Sequence, residues 1–408
     1  MKVFVSHPAK QYVNALLTGL DRRGALVRFC TMFAAERFWP LRFFPGKWRS
    51  KFMKYAFREV DGARVRHAPV LFLLSNLVKG ELWDVRVPYA WFDRWVARQL
   101  RRVDFDIVIG YETANLYTFA EAKRLGKVTV LDLAGVHHHF QNPVLIAAGV
   151  YRDEHEMEFI TKKKDEAFAV TDYVLTLSTF AELALICAGY PAQRIFKTYL
   201  GVNLALFSPK KKYRTDPAGR LELYFVGTLS RRKAVPFALE LVRELHHGRG
   251  LDVRLTLVGP VDDFDPAGLD PVLCRHLPFV PQEELVALHH ALDLFVFPSN
   301  MDSWAQTVIE AMACGSPVMV SEHTGARDAV KLGGGLVLPV GDMPAWASAI
   351  ETVYHDRFLL EKMGKAAIPI AQRYTWENYH EQVFAAMLKI KQLTSTARSS
   401  ASASQNWP

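Results

Sequence analysis

The chain predicts an α/β protein of two domains, each a mainly parallel sheet flanked by helices. Three observations carry this reading. Its 408 residues suffice for two domains of ordinary size. Half of them are hydrophobic, enough for each domain to bury a core. In both halves, short apolar runs without alternation, as in strands buried on both faces, take turns with helical stretches.

In order, KVFVS (2–6) reads as a strand, 11–23 as a helix ending before Gly24, and 25–30 as a second strand. A basic, aromatic insertion occupies 37–66. FDIVIG (105–110), a helix over 116–125 and KVTVLDL (127–133) continue the βαβ rhythm, followed by DYVLTLS (172–178) and a helix to about Ala188. The segment 195–203 leads to Phe207-Ser208-Pro209, and the polar run 210–220 reads as a linker. The second half supplies LYFVG (223–227), RLTLVG (254–259) and DLFVF (293–297). The boundaries expected are therefore a first domain over 1–207, a second over 208–375 and an amphipathic helix over 376–393. The tail 394–408 is low in complexity and expected to be disordered.

Four scattered cysteines (Cys30, Cys187, Cys274, Cys314) show no metal-binding spacing and fit a reducing compartment. Met1 opens directly into a strand rather than a leader, and no apolar run approaches the roughly 18 residues of a membrane span. A cytoplasmic protein is expected. Residues 37–66 hold nine Lys or Arg against Glu59 and Asp61, a local +7 of the net +8, interleaved with eight aromatics. That mixture suits an anionic bilayer surface and places the protein peripherally on the inner face of the membrane. Arg42, Lys47, Trp48, Arg49, Lys51, Phe52 and Lys54 are the expected contacts, with Trp48 and Phe52 one helical turn apart on a shared face. The alternative is a basic connecting helix whose rings pack into the first domain. No nucleic-acid motif accompanies the patch.

The most informative stretch is FPSNMDSWAQTVIEAMACGSPV (297–318). DLFVF before it is a buried strand, so Asp302 lies in the loop at a strand's carboxyl end, where open α/β sheets bind ligands. A helix starting near Ser303 or Trp304 offers its first amides to a phosphate. Glu310, eight residues beyond Asp302, sits about two turns on, where a carboxylate can accept from sugar hydroxyls. A diphosphate flanked by polyhydroxyl groups, as in a nucleotide sugar, fits this arrangement.

The segment resembles the acidic-x7-acidic motif of the retaining group 1, or family four, glycosyltransferases, with EAMACGSPV (310–318) matching residue by residue. The resemblance implies a GT-B fold of two Rossmann-like domains facing across a cleft, with the last helix crossing back to the first domain. It implies that Glu310 binds the donor ribose, that Asp302 lies beside the donor sugar, and that amides around Trp304, Ala305 and Gln306 hold the diphosphate. Asp302 stands where Glu is usual, and Ala305 where Gly is frequent. Gly201, Val202, Asn203, Phe207 and Pro209 match a family turn at the domain junction.

After LYFVG comes TLSRRK (228–233), resembling the family's G-R-L-x-x-x-K-G element through Gly227, Leu229 and Lys233, with Thr228 at the Arg position and Ala234 at the last Gly. Lys233 is the expected leaving-group cation, and Arg231 or Arg232 can supply the missing Arg. Gly259 falls in the family's glycine turn near the nucleotide, and 281–285 near the base. In LDLAGVHHHF (131–140) the resemblance places a His near the donor sugar, which leaves His137, His138 and His139 as candidates beside Asp132. Glu166 matches a recurrent helix acid, on a face that reads as solvated. Neither cofactor nor metal is expected, and Asp262-Asp263 is given no metal role.

The function expected is transfer of a sugar, with retention, from a nucleotide-diphosphate sugar to a saccharide or lipid-linked saccharide, in cell-surface polysaccharide or glycolipid synthesis. The alternatives are another GT-B enzyme, such as a sugar-nucleotide epimerase or phosphorylase, and a catalytically silent protein that recruits partners to a membrane.

Overall fold

The computed structural model describes all residues except 10–11, 44, 78–85, 151–153, 217–218, 265 and 406–408. The first half runs β1 (Val3–Ser6), α1 (Val13–Asp21), β2 (Leu26–Thr31), α2 (Gly46–Met53), β3 (Val65–His67), α3 (Pro69–Leu77) and α4 (Arg86–Leu100). It continues through β4 (Ile107–Tyr111), α5 (Leu116–Arg124), β5 (Val128–Leu133), α6 (His138–Ala147), α7 (Glu154–Ala169), β6 (Tyr173–Thr176), α8 (Thr179–Cys187) and β7 (Ile195–Lys197). The strands form one sheet in the order β3-β2-β1-β4-β5-β6-β7, every pair parallel. Apolar runs such as VFVS and VTVLDL are buried along their whole length because helices cover both faces.

The second sheet repeats the plan with β8 (Leu221–Val226), α9 (Val235–Arg243), β9 (Val253–Val258), β10 (Cys274–Leu277), α10 (Gln282–Ala291), β11 (Leu294–Phe297) and α11 (Gln306–Ala313). Then come β12 (Val318–Ser321), α12 (Arg327–Val330), β13 (Gly335–Leu338), α13 (Met343–His355), α14 (Arg357–Ala371) and α15 (Trp376–Gln405). Its order is β10-β9-β8-β11-β12-β13, again parallel throughout. In each sheet the order reverses next to the first strand, between β1 and β4 and between β8 and β11. Loops diverge there and leave a crevice at the carboxyl ends.

α15 packs back against α1. The bare backbone of Gly19 admits His380, whose ring lies 3.0 Å from where a Cβ would stand, and Tyr379 meets Tyr12 edge-on at 6.4 Å. At the crossing, Gly201 is pressed against the Thr375–Trp376 backbone so closely that a Cβ would fall 2.2 Å from the Trp376 amide nitrogen. The helix continues into the low-complexity tail as far as Gln405, where sequence composition had pointed to disorder. Thr394 and Ser395 hydroxyls bond back to the carbonyls of Ile390 and Lys391, so the stretch extends an existing helix and avoids the cost of nucleating its own.

The basic stretch is only partly an exposed face. Phe52 turns inward, with its ring 5.6 Å from Phe33 and 6.5 Å from Phe72, and joins a small core with Leu41 and Ala56. This corrects its expected place on an outward face: a short helix covering Phe33 gains more by burying the ring than by displaying it. The side chains of Trp48 and Lys51 lie outside the described residues. Lys47, Arg49 and Lys54 are exposed, and Lys54 sits over the Tyr55 ring at 5.0 Å. Among the described residues of the stretch, the outward aromatics are Trp39 and Phe43, 65% and 69% exposed, with the Arg42 guanidinium over both rings. Among the described residues, no helix is long and apolar enough to cross a membrane.

Candidate active site

The crevice between the sheets holds a cavity of about 340 Å³. One wall comes from the loops after β8 and β11, with Gly227, Thr228, Arg232, Lys233 and residues 302–307. The other comes from Tyr12, Ala134, Leu177 and Leu200. The β8 loop is forced into shape by glycines. A Cβ on Gly259 would fall 2.0 Å from the Gly227 carbonyl oxygen, so the turn after β9 tolerates no side chain. Gly259 therefore supports the site from behind and does not line the cavity.

Lys233 reaches across from the β8 loop to Asp302 in the β11 loop and makes an ion pair with its Oδ2, while Arg232 stands 3.8 Å from the same oxygen. Lys233 is buried, its ammonium 5.0 Å from the Phe297 ring centre. Burial pulls that ammonium well below its ordinary pKa, and the nearby Arg232 guanidinium pulls the same way. Asp302 has a second task, since its Oδ1 accepts from the amides of Trp304 and Ala305 as the chain turns into α11. Two of the amides expected to hold a phosphate are thus occupied by the protein's own carboxylate. Backbone bonds stitch the loops further, from the Asn300 amide to the Arg232 carbonyl (3.1 Å) and from Arg232 NH1 to the Met301 carbonyl (3.2 Å).

Within α11, Gln306 donates to the Gly201 carbonyl (2.7 Å) and Thr307 to the Val226 carbonyl (3.0 Å), so the helix start is anchored to both halves of the chain. Glu310 is half-buried, and burial pushes its carboxyl up to about 7. Arg231 is exposed and turned away, its amide and guanidinium held by Asp263, so Arg232 is the arginine that reaches the cavity.

The first-half candidates are placed differently. Asp132 is fully buried behind Tyr12, whose hydroxyl donates to Oδ1 at 2.8 Å, and burial raises its carboxyl to about 7. None of the three histidines lines the cavity. His137 caps α6 through Nδ1, which accepts from the His139 amide, and its ring stacks on His138 and packs against Phe168. Burial lowers both His137 and His138. His138 and His139 each bond Asp165 on α7, at 2.8 and 2.9 Å. With Asp165 they are the one cluster among the described residues able to hold a cation. Glu166 is exposed. Sequence reasoning passed over Tyr12, Ser303 and Thr307. Only the position of Tyr12 after β1, at a strand's carboxyl end, could have pointed to it.

The two halves also meet in direct contacts, at the cavity wall and beyond it. Ser303 bonds the Ala134 carbonyl, Asp328 accepts from the Thr179 amide at the start of α8 (2.7 Å), and His323 stacks on Phe180.

Residues 210–369 match the family described as glycosyl transferases group 1. A D-inositol 3-phosphate glycosyltransferase of Arthrobacter sp. (strain FB24) is 30% identical over 250 residues, 54% of this chain and 59% of that protein. The O-antigen chain mannosyltransferase B of Escherichia coli is 26% identical over 245 residues, 56% and 63% of the two. These alignments span a little over half the length of the curated relatives. Among solved structures, Anabaena Alr3699/HepE in complex with UDP superposes with a TM-score of 0.65 at 16% identity, over 95% of this chain and 100% of that one. Sucrose-phosphate synthase from Thermosynechococcus elongatus gives 0.65 at 18%, over 98% and 100%. At these identities the superpositions show the shared two-domain fold.

Among the described residues, Ala234 and Ala305 alone are non-glycines with positive φ, at 54° and 62°. They are also the two positions at which this chain carries Ala where the pattern it resembles has Gly. A left-handed alanine costs roughly 1–2 kcal/mol, while changing it to Gly forfeits a buried methyl worth about 0.8 kcal/mol and adds unfolded-state entropy of about 0.4–1 kcal/mol. These effects nearly cancel. Ala234→Gly and Ala305→Gly should each change unfolding free energy by less than about 1 kcal/mol, whereas Ala311→Gly, buried in mid-helix, should lose about 1.5–2 kcal/mol. Urea titrations of the three variants check this.

Proposed function

From a chain that has the GT-B fold and whose residues 210–369 match the group 1 glycosyl transferases, we propose an enzyme that moves a sugar from a nucleotide-diphosphate sugar to an acceptor hydroxyl with retention. The observation that carries this is the convergence of Lys233, Arg232 and the start of α11 on one cavity at the β8/β11 crossing, with Glu310 about one turn along the helix. Cations and helix amides meet where a diphosphate needs them, and a carboxylate lies where a ribose would follow.

The diphosphate competes with Asp302 for Lys233 and Arg232. As the bond from the anomeric carbon to the phosphate oxygen breaks, charge grows on that oxygen and these cations stabilise it. The acceptor oxygen forms the new bond to the same carbon. Among the described residues Asp302 is the only carboxylate lining the cavity, and it is tied to Lys233 on the leaving-group side. The departing phosphate oxygen is therefore the base at hand for the acceptor's proton, and it lies on the face it leaves, which favours retention. The names of the relatives, a D-inositol 3-phosphate glycosyltransferase and an O-antigen mannosyltransferase, support a role in glycolipid or cell-surface polysaccharide synthesis.

Glu310 gives the reading a pH signature. Its carboxyl is raised to about 7, so in the free protein the stability tied to its protonated form is full below about 4.5 and lost as pH rises through about 7. Ribose hydroxyls favour the ionised form. UDP or GDP affinity should therefore rise between pH 6 and pH 8. Glu310→Gln should flatten the profile and cost about 1.5–3 kcal/mol of binding at pH 8. Calorimetric titration reads both, and wild-type affinity in the variant would remove Glu310 from the site.

Lys233→Ala should lower turnover more than donor affinity, because the charge it meets grows in the transition state. Alone it strands Asp302, at a stability cost of about 3–5 kcal/mol. The Lys233→Met/Asp302→Asn pair should recover folding but not turnover; full activity in that pair would contradict the assignment.

We also propose that residues 37–66 hold the enzyme on an anionic membrane, where a lipid-linked acceptor is presented. Trp39, Phe43 and Arg42 form the outward tip, and each nearby cation contributes about 1 kcal/mol. Co-sedimentation with phosphatidylglycerol vesicles should rise with acidic lipid, fall with salt, and be lost when Arg42, Lys47, Arg49 and Lys54 become Glu. Indifference of the wild type to these vesicles at low salt would reject it.

A further inference from the structure

A second cavity, of about 90 Å³, opens in the first-half wall at the carboxyl end of β4. It is bounded by the loop 112–117, by Ala90 and Asp93 of α4, and by Lys163, Lys164 and Ala167 of α7. Asn115 is 1% exposed, and neither its Oδ1 nor its Nδ2 has a hydrogen-bond partner in the protein. A buried primary amide with both ends unmade is expensive, and Asn115 does not use them to cap α5, whose start it occupies. Asp93 does that work instead, accepting from the amides of Tyr117 and Thr118 at 2.8 Å each. At the lip, Lys164 pairs with Glu112 at 2.9 Å, both largely buried. The pocket belongs to the same crevice: Glu112 Oε2 lies 3.7 Å from where a Cβ on Gly135 would stand, and Gly135 follows Ala134, which lines the main cavity.

Resting on the transferase reading, we propose that this pocket takes the acceptor and that it recognises the uncharged, vicinal-diol edge of a single sugar ring. The chemistry of the lining selects this class. The Asn115 amide and the Glu112–Lys164 pair each offer one donor and one acceptor, and a hydroxyl needs that combination. The lining carries two carboxylates and two ammonium groups, so it has no net positive charge to hold a phosphate. The apolar floor of Ala90, Leu116 and Ala167 suits the ring's C–H face, and the volume admits an edge of one ring, not a disaccharide.

The test is binding of methyl α-D-glucopyranoside, methyl α-D-mannopyranoside and methyl β-D-galactopyranoside, each against its 6-phosphate. Saturation-transfer NMR would follow them on the full chain, with UDP affinity measured in parallel. At least one neutral glycoside should saturate the wild type at millimolar concentration. Asn115→Ala and the paired change Lys164→Met/Glu112→Gln should each weaken it tenfold or more while UDP affinity changes less than twofold. The paired variant strands neither charge, and so keeps the test decisive if Asn115→Ala does not fold. Unchanged glycoside affinity in folded variants, no glycoside binding to the wild type, or tighter binding of the 6-phosphates would each overturn the proposal. Glycoside binding that depends on these residues in a protein with no affinity for UDP or GDP would uphold the pocket and reject the transferase reading.

Discussion

The buried contact between Lys233 and Asp302 holds the second-half wall of the cleft in one arrangement. Each residue arrives on the loop after a different strand, β8 or β11, and those strands are neighbours where the sheet order reverses. Two charges out of water tolerate little loss of geometry, because displacing either strands the other. Asp302 also caps the turn into α11, so one carboxylate sets the spacing of the two loops and the aim of the helix. The left-handed backbone at Ala234 and Ala305 persists beside it because the surrounding loops leave no other path.

The opposite wall is organised by a different constraint. Along the carboxyl edge of the first sheet, Asn115, Asp132 Oδ2 and His7 Nε2 are buried with no partner in the protein, and the Tyr379 hydroxyl of α15 joins them. Burial raises Asp132 and lowers His7, so both tend towards neutrality at this edge. The second-half wall thus presents a cation pair on one carboxylate, and the first-half wall adds unpartnered polar groups to a charge-balanced lining. That division matches a donor with an anionic leaving group on one side and a hydroxyl-bearing acceptor on the other.

Much of this was legible in the sequence, for reasons that differ by residue. DLFVF reads as a buried strand because its apolar run is short and unbroken. Asp302 then falls in the loop after that strand and Glu310 in the helix beyond it, as expected, but α11 starts at Gln306 rather than near Ser303, so Glu310 lies about one turn in rather than two. Lys233 was legible through its place after a strand-ending glycine. Phe52 was not, because Phe33 and Phe72, which bury it, lie about twenty residues away on either side and no local pattern announces them. The histidine triplet looked like chemistry by composition, yet Asp165 and Phe168 on α7 draw all three of its rings into the contact between α6 and α7. The tail past Thr394 has a disordered composition, but it starts from the last turns of an existing helix.

By itself, the sequence determined the alternation of strands and helices, the charge excess of residues 37–66, and the acidic pair carried into α11. All of these depend on residues within a few turns of one another, where periodicity and composition govern. Only the tertiary structure decided which cation meets Asp302, which arginine reaches the cavity, and that Gly259 serves from behind. It alone left Asn115 buried without a partner beside the Glu112–Lys164 pair. Each of these joins groups on separate strands or helices. Its energy comes from desolvation at a contact made only once the elements have packed, and no local stretch of sequence encodes that.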